Sequence, residues 1–353
     1  MASSLKHIYG HQVLLSKLLK ANKDRHLPHA LLFSGPDGIG KKKVALALVQ
    51  TLLCEKSYPA CGECDDCINV EQENSHHILL VQPDGLYIKS EAIRQISKFV
   101  SLQSFAPARA IIIDPADRMN LSSANSLLKI LEEPPLHVYF ILISSHLLAL
   151  PVTIRSRVQI LRFQPLNSED LYTIVKKEQR ENKELKESGK KKKNKTDKKK
   201  EKKTLFSPLE NHWMIRASHG SMNNLEKWQE NKDLRDQALK LLKESITGQE
   251  LFAFGALADL VKDREQALFV CLFWQQILRD ACLMKFSNKN IIHQDQREIL
   301  SVLTKVPFEN LNVFFQNVVQ LEQGLKGYLD SSLNFDSLFI QIREKLKVKN
   351  KNT

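Results

Sequence analysis

The chain has 353 residues, of which 42% are hydrophobic and 26% charged, so it can bury more than one core. Its length predicts two or three domains. It contains no uninterrupted apolar run of about 18 to 20 residues, as a membrane span requires, and its N-terminus lacks the apolar core of a secretory signal. Six cysteines, four of them in one short window, are unlike a disulfide-stapled secreted domain. We therefore expect a soluble protein of a reducing, cytoplasmic compartment, with no membrane partner.

The net charge of +12 is concentrated in one segment. Residues 176–203 hold 15 Lys/Arg and 6 Asp/Glu, a local balance of +9, which leaves +3 for the rest. The core of this run, Lys190–Lys200, has no apolar residue to bury, so we expect a disordered insert over about 176–203. A solvated surface insertion is the favoured interpretation. A mobile arm that contacts nucleic-acid phosphates is the alternative.

Before the insert, short apolar runs alternate with amphipathic helices. The helix of Lys42–Leu53 follows the first run, and a second helix carries Leu127, Leu128 and Leu131 and stops at Pro134. This alternation predicts a parallel α/β sheet covered on both faces. The predicted strands are His29–Phe33, Ile78–Val81, Ala110–Asp114, Tyr139–Ile143 and Val158–Phe163.

After the insert, apolar stripes with helical spacing predict an all-helical region, and the two remaining cysteines, Cys271 and Cys282, read as buried thiols within it. One stripe contains Val270, Trp274, Ile277 and Ala281, and the other contains Leu311, Phe314, Phe315, Val318, Leu321, Leu325 and Tyr328. The predicted domains are 1–165 (α/β), 166–245 (helical, interrupted by the insert) and 246–353 (helical).

The turn after the first strand has the pattern of a phosphate-binding loop. Gly35, Gly38 and Gly40 let backbone N–H groups point inward, and Lys41 at the start of a helix would reach the phosphates. The next position should be a Ser or Thr whose hydroxyl binds magnesium, but it is Lys42. We expect a nucleotide-binding fold whose site has lost its magnesium-binding hydroxyl. The sequence leaves undecided whether this site binds ATP or phosphate.

The end of the third predicted strand also lacks a residue that ATP hydrolysis requires. Asp114 stands at the metal-ligand position, but the following residue, where a second carboxylate would act on water, is Pro115. Asp117 is interpreted as a helix N-cap. Lys42 and Pro115 thus each replace a residue type that ATP hydrolysis requires, which argues against hydrolysis by this chain.

Cys54, Cys61, Cys64 and Cys67 lie within 14 residues and supply the full ligand set of a tetrahedral zinc site. The predicted module spans 54–67 and its Zn²⁺ is structural, because no coordination position remains open. Two disulfides or an iron–sulfur cluster are the weaker alternatives.

These elements, in this order, resemble the delta-prime subunits of the bacterial DNA polymerase III clamp loader, an AAA+ family. The resemblance rests on His29–Gly35, on the four-cysteine module, on Ala124–Pro135 and on Leu150–Val158, and it runs on into 325–346 without the lysine insert. It implies an AAA+ domain, a small helical lid and a C-terminal helical collar. It also implies gamma/tau and delta subunits, a sliding clamp and primer-template DNA as partners in the replisome.

In this family a Ser-Arg-Cys triplet presents an arginine to ATP held by the neighbouring subunit. The matching residues are Ser156, Arg157 and Val158, and the guanidinium needs no cysteine for that role. Without the resemblance, pairing of Arg157 with a surface carboxylate is the simpler interpretation. Ser145 matches the sensor at the end of the fourth strand, and Asn223 stands where active relatives carry a lid arginine.

With Lys42, Pro115 and Asn223 in these positions, three nucleotide contacts are missing. We therefore predict a subunit without ATPase activity of its own, a stator that assists clamp loading and offers Arg157 to a neighbour. An ATP-hydrolysing gamma/tau-type motor with degenerate motifs is the alternative, and a nucleic-acid-binding module centred on the insert is a third hypothesis.

Overall fold

In a computed structural model of the chain, the described residues are 5, 8–101, 106–187, 212–247, 263–287 and 289–326. The chain divides into two compact units. The first comprises Met1–Asn182 with Gly220–Asn223, and the second comprises Lys183–His219 with Asn224–Thr353. The boundaries predicted at 165 and 245, and the separation of a lid from a collar, stay predictions.

A parallel β-sheet forms the core of the first unit and confirms the predicted α/β class. The strand order is β2-β3-β4-β1-β5, and every neighbouring pair is parallel. All residues of β1 are buried, as expected of a central strand covered on both faces. The strands are β1 (Ala30–Ser34), β2 (Ile78–Val81), β3 (Arg109–Ile113), β4 (Val138–Ser144) and β5 (Gln159–Arg162), close to their predicted bounds.

Helices separate these strands along the chain. The fifth helix ends at Glu132, before Pro134, as the two prolines predicted. The helices that begin in the first unit's main segment are α1 (Gln12–Lys23), α2 (Lys41–Leu53), α3 (Asp65–Glu71), α4 (Ser90–Ser101), α5 (Leu121–Glu132), α6 (Val152–Arg155) and α7 (Ser168–Glu187).

The helix α7 corrects the predicted start of the lysine-rich insert. It runs to Glu187, so residues 176–187 are helical where we expected disorder. Buried Leu171 and Val175 anchor its first turns, and the Lys, Glu, Gln and Arg residues that follow are good helix formers, which explains the extension. The rest of the insert, from 188 to 203, lies outside the described residues.

Within the described residues, the second unit contains helices and no strand, as predicted. The first stripe is buried in full, and in the second stripe Leu311, Phe314, Val318, Leu321 and Leu325 are buried. Tyr328 and the segment 327–346 lie outside the described residues. The helices are α8 (His212–Ala217), α9 (Met222–Glu230, which starts within the first unit), α10 (Lys232–Thr247), α11 (Arg264–Phe286), α12 (Arg297–Leu303) and α13 (Phe308–Lys326).

The helix α11 is long and apolar enough, by length and composition alone, to cross a membrane, with a mean hydropathy of 1.3 in its most apolar window. In that window, 61% of the helix is buried inside the protein. Trp274, Ile277 and Ala281 are fully buried, as in the core helix of a helical domain. Cys271 is buried in this helix and Cys282 is half-buried.

A buried polar network surrounds His293 in the second unit. The guanidinium of Arg235 lies 3.6 Å from the ring centre of Trp213 and donates to Nδ1 of His293 at 3.2 Å. His293 Nε2 lies 3.0 Å from Oε1 of Gln276, and buried Asp280 accepts the backbone N–H of His293 at 2.8 Å. Because Nδ1 accepts from a guanidinium, the imidazole is neutral. Burial lowers the pKa of His293 well below its ordinary value, and Arg235, His219 and Arg279 act in the same direction.

We predict that acid destabilises the second unit through His293. The unfolded imidazole takes up a proton below about pH 6.5, whereas the folded one does not, so the free energy of unfolding falls as the pH drops from about 7.5 to 5.5. Urea unfolding followed by tryptophan fluorescence measures this unit alone, since all 3 tryptophans lie in it. His293→Gln should flatten the dependence, with residual slope from His219. An equal slope in the variant would contradict the assignment.

Candidate functional site

The phosphate loop lies between β1 and α2, at the carboxyl edge of the sheet. Gly38 and Gly40 have φ angles of +73° and +95°, a backbone region that glycine enters without strain. Parallel pairing of β1 with β4 and of β4 with β3 brings Ser144 and Asp114 to the same edge. The sequence-predicted nucleotide residues are therefore brought together.

Lys41 is satisfied by its own loop. Its side chain is 5% exposed, and its ammonium donates to the carbonyl oxygens of Gly35 and Pro36, each at 2.6 Å. Asp37 lies 3.8 Å away. Burial lowers the pKa of Lys41, and Asp37, Asp114 and Asp117 oppose that shift.

Lys42, at the position of the magnesium-binding hydroxyl, forms an ion pair. Its Nζ lies 2.6 Å from Oε1 of Glu73, just beyond the end of α3. Burial raises the pKa of Asp114, and Lys42 is the charge that opposes this rise most strongly, ahead of Lys41. A fixed ammonium therefore lies within electrostatic reach of the carboxylate that would bind the metal.

The acidic strand end differs from the prediction at Asp117. That side chain is not an N-cap: its Oδ1 accepts the backbone N–H of Ser145 at 3.2 Å. Asp117 lies within a short 3₁₀ turn, Ala116–Arg118, that precedes α5, whose N-cap is Asn120 with its side chain accepting from Ser123 N–H. Asp117 thereby joins the ends of β3 and β4, and the sensor position Ser145 is held through its backbone.

A segment far along the chain lies directly on the phosphate loop. Ser221 Oγ donates to the carbonyl of Asp37 at 2.7 Å, and Met222 N–H donates to that of Gly38 at 2.9 Å. A Cβ on Gly38 would lie 2.6 Å from the backbone nitrogen of Asn223, so this position has no room for a side chain. Gly220–Asn223 belongs to the first unit, and we name it the covering segment. Sequence reasoning found that Asn223 lacks the arginine but missed the contact itself.

The predicted arginine finger lies at the surface. Arg157 follows α6, is 35% exposed and forms an ion pair with Glu132 at the end of α5. Its Nη1 also donates to the carbonyl of Thr153 at 3.1 Å, which likewise accepts from Ser156 Oγ at 3.0 Å. Within this chain Arg157 is thus paired with a surface carboxylate, that of Glu132, as expected without the family resemblance.

The four predicted cysteines converge on one point. Their sulfur atoms all lie within 4.8 Å of one another, with Cys61 to Cys67 at 3.8 Å and Cys54 to Cys64 at 4.0 Å. Four metal–sulfur bonds of about 2.3 Å in a tetrahedron span edges of about 3.8 Å. The cluster therefore fits a metal ion, and all of these cysteines are free of disulfides.

Local backbone N–H groups lower the pKa of two of the four thiols, those of Cys54 and Cys61. Burial opposes ionisation of Cys54, but backbone N–H donors, first among them that of Cys61, lower its pKa to about 6. Burial raises the pKa of Cys67. The N–H of Cys64 donates to Cys61 Sγ at 3.3 Å, and Gln50 on α2 donates to the Cys67 carbonyl at 2.7 Å. The cluster and the phosphate-loop helix are therefore connected at Gln50 and again at Lys42.

A parallel sheet with a glycine-rich loop between its first strand and the following helix defines a P-loop α/β fold, as the AAA+ resemblance implied. Residues 10–167 match the family model described as DNA polymerase III, delta subunit. The delta-prime subunit of Bacillus subtilis is 41% identical over 170 residues, which are 47% of this chain and 51% of that protein. The tau subunit of Salmonella typhimurium is 35% identical over 171 residues, which are 46% of this chain and 26% of that protein.

The chain thus spans about half the length of the delta-prime relative and about a quarter of the tau relative. Among solved structures, a gamma subunit-related protein of Thermotoga maritima covers 94% of this chain and 99% of its own, with 16% identity and a TM-score of 0.48. The RuvB Holliday junction branch migration motor of the same organism covers 80% of this chain and 79% of its own, with 17% identity and a TM-score of 0.42. The family and sequence matches agree with the resemblance seen in the motifs, over the part of the chain that they cover, where it is similar to delta-prime and tau subunits.

We predict one tightly bound metal ion per chain. Cys64→Ser removes a buried ligand while keeping a good N-cap for α3. The metal occupancy should therefore fall well below one per chain, and the free energy of unfolding should decrease by about 2 kcal/mol or more. Elemental analysis of the purified chain, combined with thermal unfolding, measures both. Cys282→Ser, outside the cluster, is the matched control. Equal metal content in the two variants would remove the cluster as the site.

Proposed function

We propose that this chain is a non-hydrolysing stator subunit of a DNA polymerase III clamp loader. It would help gamma/tau and delta subunits load a sliding clamp on primed DNA during replication in the bacterial cytoplasm. It would contribute a rigid structural element to the complex and one guanidinium, that of Arg157. The observation that carries the proposal is the ion pair of Lys42 with Glu73 at the place of the magnesium-binding hydroxyl.

The absence of hydrolysis follows from charge and chemistry at the carboxyl edge. An ammonium beside Asp114 opposes the binding of a divalent cation to that carboxylate, and Pro115 offers no base for the attacking water. Phosphoryl transfer in P-loop proteins depends on the metal and on a positioned water. A chain that lacks both would bind nucleotide weakly or not at all and would not turn it over.

The hydrogen bonds of Lys41 and of the covering segment hold the loop in its present conformation. Two carbonyl groups of the loop, those of Asp37 and Gly38, already accept hydrogen bonds from it, and Lys41 is occupied by Gly35 and Pro36. A phosphate entering the loop would have to displace Lys41 from carbonyls that compensate its burial. A loop satisfied in this way is rigid, which suits a stator.

Arg157 supports a role in trans. It is accessible, always ionised and held by a carboxylate at the protein surface, where an ion pair is weak. Two nearby residues of the same stretch, Leu148 and Val152, are 83% and 68% exposed, as expected of a surface that another subunit covers. Polyphosphate on a neighbour would offer Arg157 a stronger partner than Glu132.

The metal proposed for the cysteine cluster is Zn²⁺ in a structural role. An all-thiolate, four-ligand set favours zinc and leaves no open position for catalysis. The ion would fix α3, and with it Glu73, against the phosphate-loop helix. Cysteine thiolates would hold it, and it takes no part in phosphate chemistry.

The rival proposal is an ATP-hydrolysing motor of the gamma/tau type. The 35% identity to tau and the intact run from Gly35 to Lys41 favour it. It predicts magnesium-dependent hydrolysis by the isolated chain, which requires that Lys42 and Pro115 be tolerated.

ATP hydrolysis decides between the two proposals. The purified chain alone should be inactive with Mg²⁺-ATP. Mixed with gamma/tau, delta, clamp and primed DNA, the complex containing Arg157→Ala should hydrolyse ATP at least about tenfold more slowly than wild type while still assembling. Arg94→Ala, an exposed arginine on α4, is the control and should leave the rate unchanged.

Turnover by the isolated chain would make it a motor subunit. An unchanged rate in the Arg157→Ala complex would rule out Arg157 as an arginine finger. The stator proposal would then be decided by the assay of the isolated chain.

A further inference from the structure

A groove of about 740 Å³ runs between α1 and the edge strand β5 in the first unit. Leu14, Leu18, Leu31 and Leu161 contribute apolar walls. The cavity is separate from the phosphate loop and from the cysteine cluster, since no residue of 35–67 lines it.

The strand β5 has an open hydrogen-bonding edge. It pairs with β1 on one side and is the last strand of the sheet. Phe163 N–H donates to Ser34 at 2.7 Å, so the alternation of a strand directs the main-chain groups of Ile160 and Arg162 away from β1. Among the described residues, no strand pairs with β5 on that side, and no turn or loop hydrogen bond reaches the N–H groups of those two. An edge of this kind is a template for another strand.

The rim of the groove carries an exposed apolar side chain on α1 and two cations, Lys17 on α1 and Arg162 on β5. Val13, on the first turn of α1, is 72% exposed and lines the groove. Arg162 and Lys17 line it as well, and neither forms an ion pair within the described part of the chain. Asp170, the one carboxylate of the lining, lies against Gly10 at one end. The net charge that faces a ligand is therefore positive.

We propose that this groove binds an extended acidic peptide segment of a partner protein, which adds as a parallel or antiparallel strand to the open edge of β5. Main-chain bonds to Ile160 and Arg162 supply affinity, and alternate apolar side chains of the peptide enter the groove beside Val13. Acidic side chains between them face Lys17 and Arg162. The groove lining contains neither the phosphate loop nor Arg157, so the inference stands or falls independently of the proposed function.

The test uses the full chain and a fluorescein-labelled short peptide of alternating valine and glutamate. Fluorescence anisotropy should give saturable binding, and Ile160→Pro and Arg162→Glu should each weaken it at least about tenfold. Proline at 160 removes an outward N–H and keeps the pairing with β1, so circular dichroism should match wild type. Lys98→Glu on exposed α4 is the charge control and should bind normally.

Three outcomes would overturn the proposal. The first is no saturation of wild type at about 1 mM peptide. The second is equal binding by Arg162→Glu, or equal binding of an alternating valine–lysine peptide. The third is self-association of the wild-type chain that Ile160→Pro abolishes, because a second copy would then occupy the edge.

Discussion

Parallel pairing of the strands is the constraint on which the candidate site depends. Because β1, β3 and β4 run in the same direction, the phosphate loop, Asp114 and Ser145 meet at one edge although they are far apart in sequence. Asp117 fixes the edge further by accepting the Ser145 N–H. The same constraint leaves β5 at the margin with one side unpaired. A single topology thus creates both a converging set of polar groups and an open strand edge.

What distinguishes this site is that the chain satisfies it with its own groups. Lys41 donates to loop carbonyls, Lys42 pairs with Glu73, and the covering segment bonds to the outer face of the loop. Of these groups, Lys41 is the one that phosphates would otherwise engage, and Lys42 stands in the place of the metal-binding hydroxyl. Glu73 lies just after the helix that carries Cys67, so the cysteine cluster and the phosphate loop are mechanically connected. A metal that orders the cluster would therefore also order Lys42, consistent with a rigid subunit.

Local patterns made much of this predictable. The five strands follow from buried apolar runs, α5 ends where Pro134 requires, and the losses at Lys42 and Pro115 are visible because each position has a known chemical role. Contacts between distant residues were not predictable: Ser221 and Asp37 lie 184 positions apart, and Glu73 carries no signal that it pairs with Lys42. Asp117 was misassigned because a 3₁₀ turn before α5 moves the cap to Asn120. The continuation of α7 to Glu187 was missed because charge outweighed helix propensity in the prediction.

Calorimetric titration of the chain with Mg²⁺-ATP, and with ATP in the presence of EDTA, tests the central claim most directly. A loop satisfied by its own chain should give no saturable heat in either titration up to about 1 mM. Lys42→Thr should remove the ion pair with Glu73 without creating a strong site, because Lys41 remains bonded to the loop carbonyls. Saturable, magnesium-dependent binding by the wild-type chain in the micromolar range would contradict the account, since Lys42 would then tolerate the metal it is argued to exclude.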